Sequence, residues 1–532
     1  MKHFYIIASL LVVALLASCT GTTNNAPKAK HVILIGIDAM GAYGVQRAHT
    51  PTLNYMIDNG AASIKARCIL PSSSSQNWMS MVSGATINLH GVTDNDWEPD
   101  NGNIIPAVKN KKGLFPTIFD NIKTQKPSDK VYMFYEWTEQ DRMYDTSVVD
   151  KAVTGLDGEQ TMKQAFDVFF QDKPEFLFIS INEVDHVGHA DGHESQAYMD
   201  CVHKYDTLIG DLVKRLKEAN MTDETVVIVT ADHGGIGRSH GGTNEAEIEI
   251  PIILYGGPVT KGKLIEHTNV ICDIAATVAG LLDVKLPQEC VGKFISEAFE
   301  PKSDLVYMPM PFIQPFNGMY KDEVVLNITG DVENGEIYYT TDGSVPTNQS
   351  TRYEGPLAIK QSCLVRAIVC RNGQYGKMAQ ADIRVLPQGE TPKVAYKYYE
   401  NIKGKSLPNF SALGRPTREG YVYEFSLDEL NVEEMDHFAV LFTTKMDIPA
   451  DGEYTFGVIS DDGSKVYVDG KMVIDNDGSH SAEMKKGKVE LTKGTHDIKV
   501  EYFDDYMGQN LELHYSSETL PMQTLPFARF IK

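Results

Sequence analysis

Between residues 31 and 283, short apolar runs alternate with stretches of helical periodicity. The runs are rich in β-branched residues and read HVILIGID, PEFLFISIN, ETVVIVTAD and IPIILYGG. One helical stretch, ESQAYMDCVHKYDTLIGDLVKRLKEAN, separates the second run from the third. Strands that are almost continuously apolar are buried on both faces, which is typical of parallel sheets between two layers of helices. The pattern therefore predicts an α/β fold with a mostly parallel sheet and helices on both faces.

After about residue 310 the pattern changes to short β-rich segments separated by turn residues, such as TTDGSVPTNQS, CRNGQYG and DNDG. This pattern is typical of sandwich-like β domains. The segment LPQGETPK, residues 386–393, has the composition of a linker. We therefore expect an α/β domain over residues 31–305, followed by two all-β domains over residues 310–387 and 393–532.

The N-terminus has the features of an export signal. A basic start at Lys2 precedes an apolar run over residues 4–17 that is too short to cross a bilayer, and small residues and Cys19 follow. The segment LASC resembles a bacterial lipobox, which implies a signal over residues 1–19, a lipidated Cys19 and a flexible tether over residues 20–30. We expect an exported lipoprotein anchored to the membrane at the periplasmic or outer surface, with simple cleavage and release as the alternative.

Charge and cysteine content exclude several classes of function. The formal net charge of −23 argues against binding to a nucleic-acid duplex or to an anionic membrane surface. Chemistry on phosphate esters would therefore need added cations. The other six cysteines form no CxxC motif, which argues against a thiolate zinc site or a redox pair. The sequence leaves a disulfide between Cys272 and Cys290 as an alternative.

Acidic and imidazole side chains follow three of the apolar runs. They are Asp38 after the first run, Asp185, His186 and His189 after the second, and Asp232 and His233 after the third. One such residue alone is more often a helix cap or a surface residue, but the carboxyl ends of parallel strands meet at one edge of a sheet. Carboxylates and imidazoles without thiolates suit zinc or a similar divalent ion, and more than four ligands imply two ions.

This ordered set resembles the alkaline phosphatase superfamily, and most closely its type I phosphodiesterase/nucleotide pyrophosphatase branch. The resemblance rests on HVILIGIDAMG, PSSSSQNWMSMVSGATINLHGV, DHVGH, ADHGG and SHGG, and covers about residues 30–300. In that branch a threonine or serine is the nucleophile, an asparagine follows three residues later, and a Ser/Thr-Gly pair closes the helix. Matching Asn77 and Ser83-Gly84 to these positions implies Ser74 as the nucleophile, at the start of a predicted helix. Ser73 and Ser75 are the alternative nucleophiles.

The resemblance also implies the ligands of two ions, with zinc as the expected metal. The first ion would be held by Asp38, Ser74, Asp232 and His233, and the second by Asp185, His189 and His240. His267 competes with His240, and His186 and His193 are solvated neighbours or outer-shell partners. Asn77 and the helix amides would hold the non-bridging phosphate oxygens.

The resemblance implies a phosphoric ester hydrolase that acts on diesters or pyrophosphates of small molecules through a phospho-serine intermediate. The alternative within the superfamily is a phosphomonoesterase, in which basic side chains bind the extra phosphate oxygens. Arg142 lies in the right interval for this role, although an arginine among acids is more often part of a surface ion pair. A sulfatase is disfavoured because neither the required proline nor arginine follows Ser74. A metal-dependent phosphoglycerate mutase is disfavoured by the export signal and by the interval of about 110 residues between Ser74 and Asp185.

The two C-terminal regions resemble accessory modules. The segment GEIYYTTDGSVPTNQSTRYEGPLAI resembles the β-sandwich at the C-terminus of chitobiases, and the segment around FGVISDDGSKVYVDGK resembles a PA14 domain. The PA14 resemblance implies glycan as a partner and calcium at Asp461–Asp462, with a purely structural turn as the alternative. A glycan-binding surface protein with a degenerate catalytic domain is therefore the competing hypothesis from another class.

Overall fold

The computed structural model describes residues 27–100, 102–301, 310–315, 318–330, 335–371, 373–386, 388–430, 436–506, 508–518, 520–525 and 529–531. The predicted signal segment and Cys19 lie outside these described residues. Within the described part of the chain, no helix is both long enough and apolar enough to cross a membrane.

An eight-stranded sheet lies at the centre of the N-terminal region. Its strands are β1 (His31–Ile37), β2 (Gly60–Arg67), β3 (Val131–Tyr135), β4 (Lys151–Val153), β5 (Phe176–Ile181), β6 (Thr225–Thr230), β7 (Glu249–Tyr255) and β8 (Lys263–Leu264). Their spatial order is β4-β3-β5-β1-β6-β7-β2-β8, and only β7 runs antiparallel to its neighbours. The prediction of an α/β fold with a mostly parallel sheet is confirmed.

Helices connect these strands. They are α1 (Ala42–Arg47), α2 (Pro51–Asp58), α3 (Ser74–Ser83), α4 (Ile87–His90), α5 (Ile118–Gln125), α6 (Gly158–Asp172), α7 (Glu183–Asp191), α8 (Gln196–Glu218), α9 (Glu245–Ile248) and α10 (Asp273–Leu281). Every residue of β1, β5 and β6 is buried. Because successive side chains of a strand point to opposite faces, the centre of the sheet is covered on both sides.

Helix α3 has well-defined ends, which fix the position of Ser74 as its first residue. Ser73 precedes it in an extended conformation, and Gly84 ends it with φ of +72°. This left-handed conformation favours glycine, and the Gly84 N–H donates to the carbonyl of Ser80. All ten residues of the helix are buried, so its orientation is set by packing on every side.

The two cysteines considered for a disulfide are not bonded to each other. The Cys272 thiol donates to the carbonyl of Ala85, and the Cys290 thiol donates to that of Ser83. Both thiols therefore pack at the C-terminal end of α3.

Beyond residue 310, the described residues form four β-sheets. The first two contain β9 (Phe312–Gln314), β10 (Gly318–Lys321), β11 (Val324–Thr329), β12 (Glu336–Thr340), β13 (Thr351–Arg352), β14 (Leu357–Ile359), β15 (Cys363–Arg371), β16 (Gln374–Tyr375) and β17 (Ala379–Leu386). The other two contain β18 (Val394–Tyr399), β19 (Arg418–Val422), β20 (Phe438–Ile448), β21 (Gly452–Asp461), β22 (Ser464–Val468), β23 (Lys471–Asn476), β24 (Glu483–Leu491), β25 (Gly494–Asp504), β26 (Asn510–Ser517), β27 (Leu520–Thr524) and β28 (Phe530–Ile531). The two pairs of sheets enclose separate hydrophobic cores. The prediction of all-β structure in this region is confirmed.

Candidate metal centre

The acidic residues at the strand ends meet at one edge of the central sheet. Asp38 follows β1, Asp185 lies in α7 directly after β5, and Asp232 follows β6. These three strands are adjacent and parallel, in the order β5-β1-β6. Their carboxyl ends therefore deliver three buried carboxylates to a common site.

The first group of side chains surrounds the ring of His233. Its Nε2 atom lies 3.2 Å from Ser74 Oγ, 3.4 Å from Asp38 Oδ1 and 3.3 Å from Asp232 Oδ2. All four residues are buried. The structure thus brings together the four residues that the sequence analysis assigned to the first ion.

The second group surrounds the carboxylate of Asp185. His189 Nε2 lies 3.4 Å from one of its oxygens, and His240 Nε2 and His193 Nε2 each lie 3.6 Å from the other. The ring of His240 stacks on that of His233 with 4.0 Å between centroids, so the two groups adjoin. The structure places Asp185, His189 and His240 together and adds His193, which the sequence analysis treated as a neighbour.

All four histidines point the same ring nitrogen into the site. Each Nδ1 faces a backbone carbonyl, at 2.8 Å for His233, 2.7 Å for His189, 3.1 Å for His240 and 3.2 Å for His193. Because a carbonyl only accepts, each Nδ1 carries the proton and donates it. In the neutral ring, each Nε2 therefore carries a lone pair directed into the site, that of His233 toward the Ser74 hydroxyl, which is the arrangement of metal-binding histidines.

The buried polar atoms of the site fit divalent cations. Asp38 Oδ1, Asp185 Oδ1, Asp232 Oδ2 and His193 Nε2 are buried without a hydrogen-bond partner. Among the described residues, no lysine or arginine forms an ion pair with these three carboxylates. Buried carboxylates without a compensating charge are unfavourable, and oxygen and imidazole ligands suit zinc and similar ions.

The pKa values of the three aspartates also show that burying these carboxylates without a compensating charge is unfavourable. Burial, together with the carboxylates of Asp232 and Asp185, raises the pKa of Asp38 well above its usual range. Burial also raises the pKa of Asp232 to about 6. Burial acts in the same direction on Asp185, but His189 and the other histidines hold its pKa well below the usual range. In the absence of cations, burial and the neighbouring carboxylates therefore disfavour the charged forms of Asp38 and Asp232.

Among the neighbouring serines, only Ser74 has its hydroxyl in this cluster. The Ser75 hydroxyl is fully buried without a partner, and the Ser75 N–H donates to Asn95 Oδ1 at 2.9 Å. Ser73 is the residue that precedes α3. The geometry thus favours Ser74 over the two serines that the sequence left open.

The predicted role of Asn77 does not fit the structure. Its Oδ1 accepts the N–H of Ile69 at 2.8 Å, and its Nδ2 donates to the carbonyls of Ser73 at 2.9 Å and Pro71 at 3.1 Å. The amide is fully buried and used by the serine loop, so it has no free donor for a phosphate oxygen. Asn95 instead lies beside Ser74, through its bond to Ser75. The sequence analysis missed Asn95 because TDNDW reads only as a turn.

The remaining alternatives lie away from the cluster. The side chain of His267 is 89% exposed and bonds to Glu297, so this residue does not compete with His240. His186 is exposed and pairs with Asn182. The guanidinium of Arg142 forms ion pairs with acidic neighbours, at 3.0 Å to Glu98 and 3.2 Å to Glu139.

The acidic pair Asp461–Asp462 is occupied by hydrogen bonds. The carboxylate of Asp462 accepts the backbone N–H groups of His480 and Asp505, each at 2.7 Å. Asp461 accepts the hydroxyl of Ser239. Among the described residues, neither belongs to a group of three or more side chains suited to a metal. The geometry fits the alternative in which the pair shapes a turn, and calcium binding here stays a prediction.

Three family models match the chain. Residues 32–241 match the type I phosphodiesterase / nucleotide pyrophosphatase model, residues 326–379 match the Fn3 associated model, and residues 394–521 match the PA14 domain model. The Fn3 associated model thus matches the segment that resembles the chitobiase β-sandwich.

Curated relatives include phosphopentomutases. That of Clostridioides difficile (strain 630) is 26% identical over 201 residues, which cover 34% of this chain and 48% of the relative. That of Clostridium beijerinckii is 25% identical over 136 residues, which cover 25% of this chain and 32% of the relative. The chain therefore spans about a third to a half of the length of these relatives.

Among solved structures, murine ectonucleotide pyrophosphatase / phosphodiesterase 5 in complex with AMP is 15% identical, with a TM-score of 0.42, and the match covers 48% of this chain and 96% of that one. The alkaline phosphatase PafA is 13% identical, with a TM-score of 0.43, and the match covers 52% and 100%. Over residues 32–241 the chain is thus similar to the type I phosphodiesterase / nucleotide pyrophosphatase family, and over residues 394–521 it is similar to PA14 domains.

Proposed function

We propose that this protein is a metal-dependent phosphoric ester hydrolase that cleaves phosphodiesters or pyrophosphates through a phospho-serine at Ser74. The observation that carries the proposal is the position of the Ser74 hydroxyl. It lies at the start of α3 and 3.2 Å from His233, at the border of a buried acidic cluster without protein cations. Within the described residues, both groups of side chains that suit a metal lie in this cluster.

The cluster divides into two sets of ligands. Asp38, Ser74, Asp232 and His233 would hold one divalent ion, and Asp185, His189 and His240 the other, with zinc as the expected metal. When bound, two such ions favour the serine alkoxide and stabilise the charge that develops on the attacking and departing oxygens. His193 is an additional candidate for the second set, because its Nε2 is buried, without a partner and close to Asp185.

The residues of the chain then have distinct roles. Ser74 Oγ attacks phosphorus and expels the alcohol or phosphate, and water later attacks the same phosphorus and releases Ser74. The first turn of α3 presents backbone N–H groups toward the phosphoryl group. Asn95 uses Oδ1 to accept the N–H of Ser75. Its Nδ2 is the donor that we assign to a non-bridging oxygen, in place of Asn77.

The structure favours diester over monoester substrates. A monoester dianion has one more charged oxygen than a diester, and Arg142 was the basic residue considered for it. The guanidinium of Arg142 is held by Glu98, Glu139 and the carbonyl of Asn95. It therefore supports Asn95 rather than offering a free charge to the substrate.

The substrate comparison described below also tests two other functions. Phosphoryl transfer between sugar hydroxyls is favoured by the match to phosphopentomutases. A glycan-binding protein with a degenerate catalytic domain is disfavoured, because every position of the two ligand sets carries a competent side chain. Glycan recognition by the C-terminal β regions and anchoring through Cys19 accompany the proposal as predictions.

The test compares four substrates with the full chain loaded with zinc: a p-nitrophenyl nucleotide diester, p-nitrophenyl phosphate, a pentose 1-phosphate and a phosphate-free glycan. We expect the diester to be turned over with the highest kcat/KM, and a chelator to abolish turnover until zinc is restored. Equal or better monoester turnover would make the protein a phosphatase, and isomerisation of the pentose phosphate would make it a mutase. Inactivity on all phosphate esters, with binding of the glycan, would support the degenerate alternative.

The nucleophile is tested with a matched series of serine variants. Ser74→Ala should lower kcat by on the order of 10³-fold or more, because it removes the attacking atom. Ser73→Ala and Ser75→Ala make the same chemical change in the same loop and should retain most of the activity. Retained turnover in Ser74→Ala, with a loss in either control, would move the nucleophile to that control position.

A further inference from the structure

One loop joins the candidate metal centre to the PA14 domain. It comprises residues 235–242, between β6 and α9, and we call it the His240 loop. Inside the loop, Ile236 and Ser239 exchange both backbone hydrogen bonds, at 2.9 and 3.0 Å, which closes a tight turn. The carbonyl of Gly237 accepts from His193, and that of Arg238 accepts from His189. The loop thus orients two histidines and carries a third, His240.

The base of the His240 loop is fixed by the α/β region. Ser72 Oγ accepts the N–H of Gly241 at 3.1 Å and donates to the carbonyl of Gly242 at 2.8 Å. The Gly242 N–H also donates to a carboxylate oxygen of Glu247 at 2.8 Å. These contacts hold residues 240–242, but none of them reaches the tip at residues 237–239.

Besides its bonds to His189 and His193, the tip is held by the PA14 domain. The hydroxyl of Ser239 donates to Asp461 Oδ2, and the backbone N–H of Ala482 donates to the same oxygen at 3.1 Å. Ser239 and Asp461 are each only 3% exposed, so water is excluded from this contact. A direct polar contact therefore crosses between segments that are 222 residues apart in the chain.

The two surfaces approach so closely that side chains are excluded. A Cβ atom added at Gly508 would lie 2.6 Å from Ser239 Oγ, and one at Gly237 would lie 2.9 Å from Asn510 Nδ2. Both distances are below normal van der Waals contact. Because the loop sequence GIGRSHGG is rich in glycine, its backbone has many alternative conformations, and outside contacts must select one of them.

We propose that Asp461 is a positioning residue for the metal centre. Through Ser239, the PA14 domain fixes the tip of the His240 loop, and with it the carbonyls that orient His189 and His193. In this arrangement the side chain of Asp461, which belongs to the PA14 domain, orients a loop of the α/β domain. The catalytic consequence rests on the proposed function, whereas the effect on the loop is a property of the metal-free protein.

The primary experiment is hydrogen exchange of the metal-free full chain, read on peptides that cover the His240 loop. Asp461→Ala should accelerate exchange of the Ile236 and Ser239 N–H groups by about 10-fold or more. Asp461→Asn keeps an oxygen that accepts from both Ser239 and Ala482, so it should restore near-wild-type protection. Asp469→Ala is the matched control, because Asp469 lies in the same domain but bonds to His496.

The second experiment measures the metal centre directly with cobalt. Asp461→Ala should weaken binding of one of two Co²⁺ equivalents by about 10- to 100-fold and change the visible spectrum of that site, as loss of an outer-shell partner does. With zinc at saturation, kcat should fall while KM changes little. Ser239→Ala removes the same bond from the other side and should reproduce these effects without altering the PA14 domain.

The outcomes separate the two proposals. Unchanged loop exchange and cobalt binding in both Ser239→Ala and Asp461→Ala would overturn the positioning role, whatever the activity. Faster exchange and weaker cobalt binding in a protein that cleaves no phosphate ester would support the positioning role and refute the proposed function. If Asp461→Ala unfolds the PA14 domain, Ser239→Ala decides alone.

Discussion

Replacing Trp78 by phenylalanine tests how the carboxylate of Asp38 is oriented. The Trp78 indole N–H donates to Asp38 Oδ2 at 3.2 Å, and both side chains are buried. The other oxygen of Asp38 faces His233. The ring of Trp78 is held by an edge contact with Phe178, at 6.1 Å between centroids, so it presents the donor in one direction. Phenylalanine keeps an aromatic ring at this position but removes the donor.

The free energy lost when Trp78→Phe removes this hydrogen bond depends on whether metal is bound. Burial raises the pKa of Asp38 in the metal-free protein, which favours the neutral acid there, and a hydrogen bond from Trp78 to a neutral group is worth about 1 kcal/mol. With metal bound, Asp38 is a carboxylate, and a bond to a charged group is worth about 1.5–3 kcal/mol. The difference of about 0.5–2 kcal/mol corresponds to about 2- to 30-fold weaker metal binding, since 1.36 kcal/mol is tenfold.

The assay is a competition titration of zinc against a chelator, combined with urea unfolding of the metal-free protein. Trp97→Phe is the control, because Trp97 is also buried but its indole N–H has no hydrogen-bond partner among the residues that the structure describes. Both variants should lose some stability from the smaller ring, but only Trp78→Phe should bind metal more weakly. Equal metal affinity in the two variants would refute the orienting role of Trp78.

Three further predictions concern packing, pH and the excluded histidine. Gly36→Ala should lower the free energy of unfolding by about 1–3 kcal/mol in urea titrations, because its Cβ would lie 2.4 Å from the ring of Trp78. Burial raises the pKa of Asp461 to about 8, so between about pH 4 and 8 the folded state holds a proton that the unfolded state releases. Stability should therefore fall as pH rises through this window, and calorimetry at pH 5.5 and 8 should show a smaller decline for Asp461→Asn. His267→Ala should leave zinc binding and turnover unchanged, and a loss of either would return His267 to the ligand set.

The sequence was sufficient for the parts of the fold that follow from local hydrophobicity. Four apolar runs predicted β1, β5, β6 and β7, and their burial on both faces indicated the layered architecture. The antiparallel direction of β7 was not predictable, because an apolar run has no polarity. Strand β2, with the sequence GAASIKAR, has weak β-propensity and forms a strand because it pairs with β7.

The candidate site was predictable where a residue directly follows a strand. Asp38, Asp185 and Asp232 could be placed at one edge because the topology of a parallel sheet fixes where strand ends lie. Asn95 was not predictable in this way, since its position depends on a loop folding back onto α3. The contact between Ser239 and Asp461 could not be predicted from the sequence either, because no local pattern relates two segments in different domains.

Under the proposed function, the charges around Ser74 explain how the chain would act on an anion. A net charge of −23 repels a phosphate ester at long range, but salt screens this repulsion beyond about 8–10 Å. Within that distance the decisive charges are those of the cluster itself, and three buried carboxylates turn it into a cation site. Cations bound there would attract the ester, together with the N-terminus of α3. Because the charge of Arg142 is already balanced by Glu98 and Glu139, the attraction would come from the ions and the helix. That balance suits the single negative charge of a diester better than the double charge of a monoester.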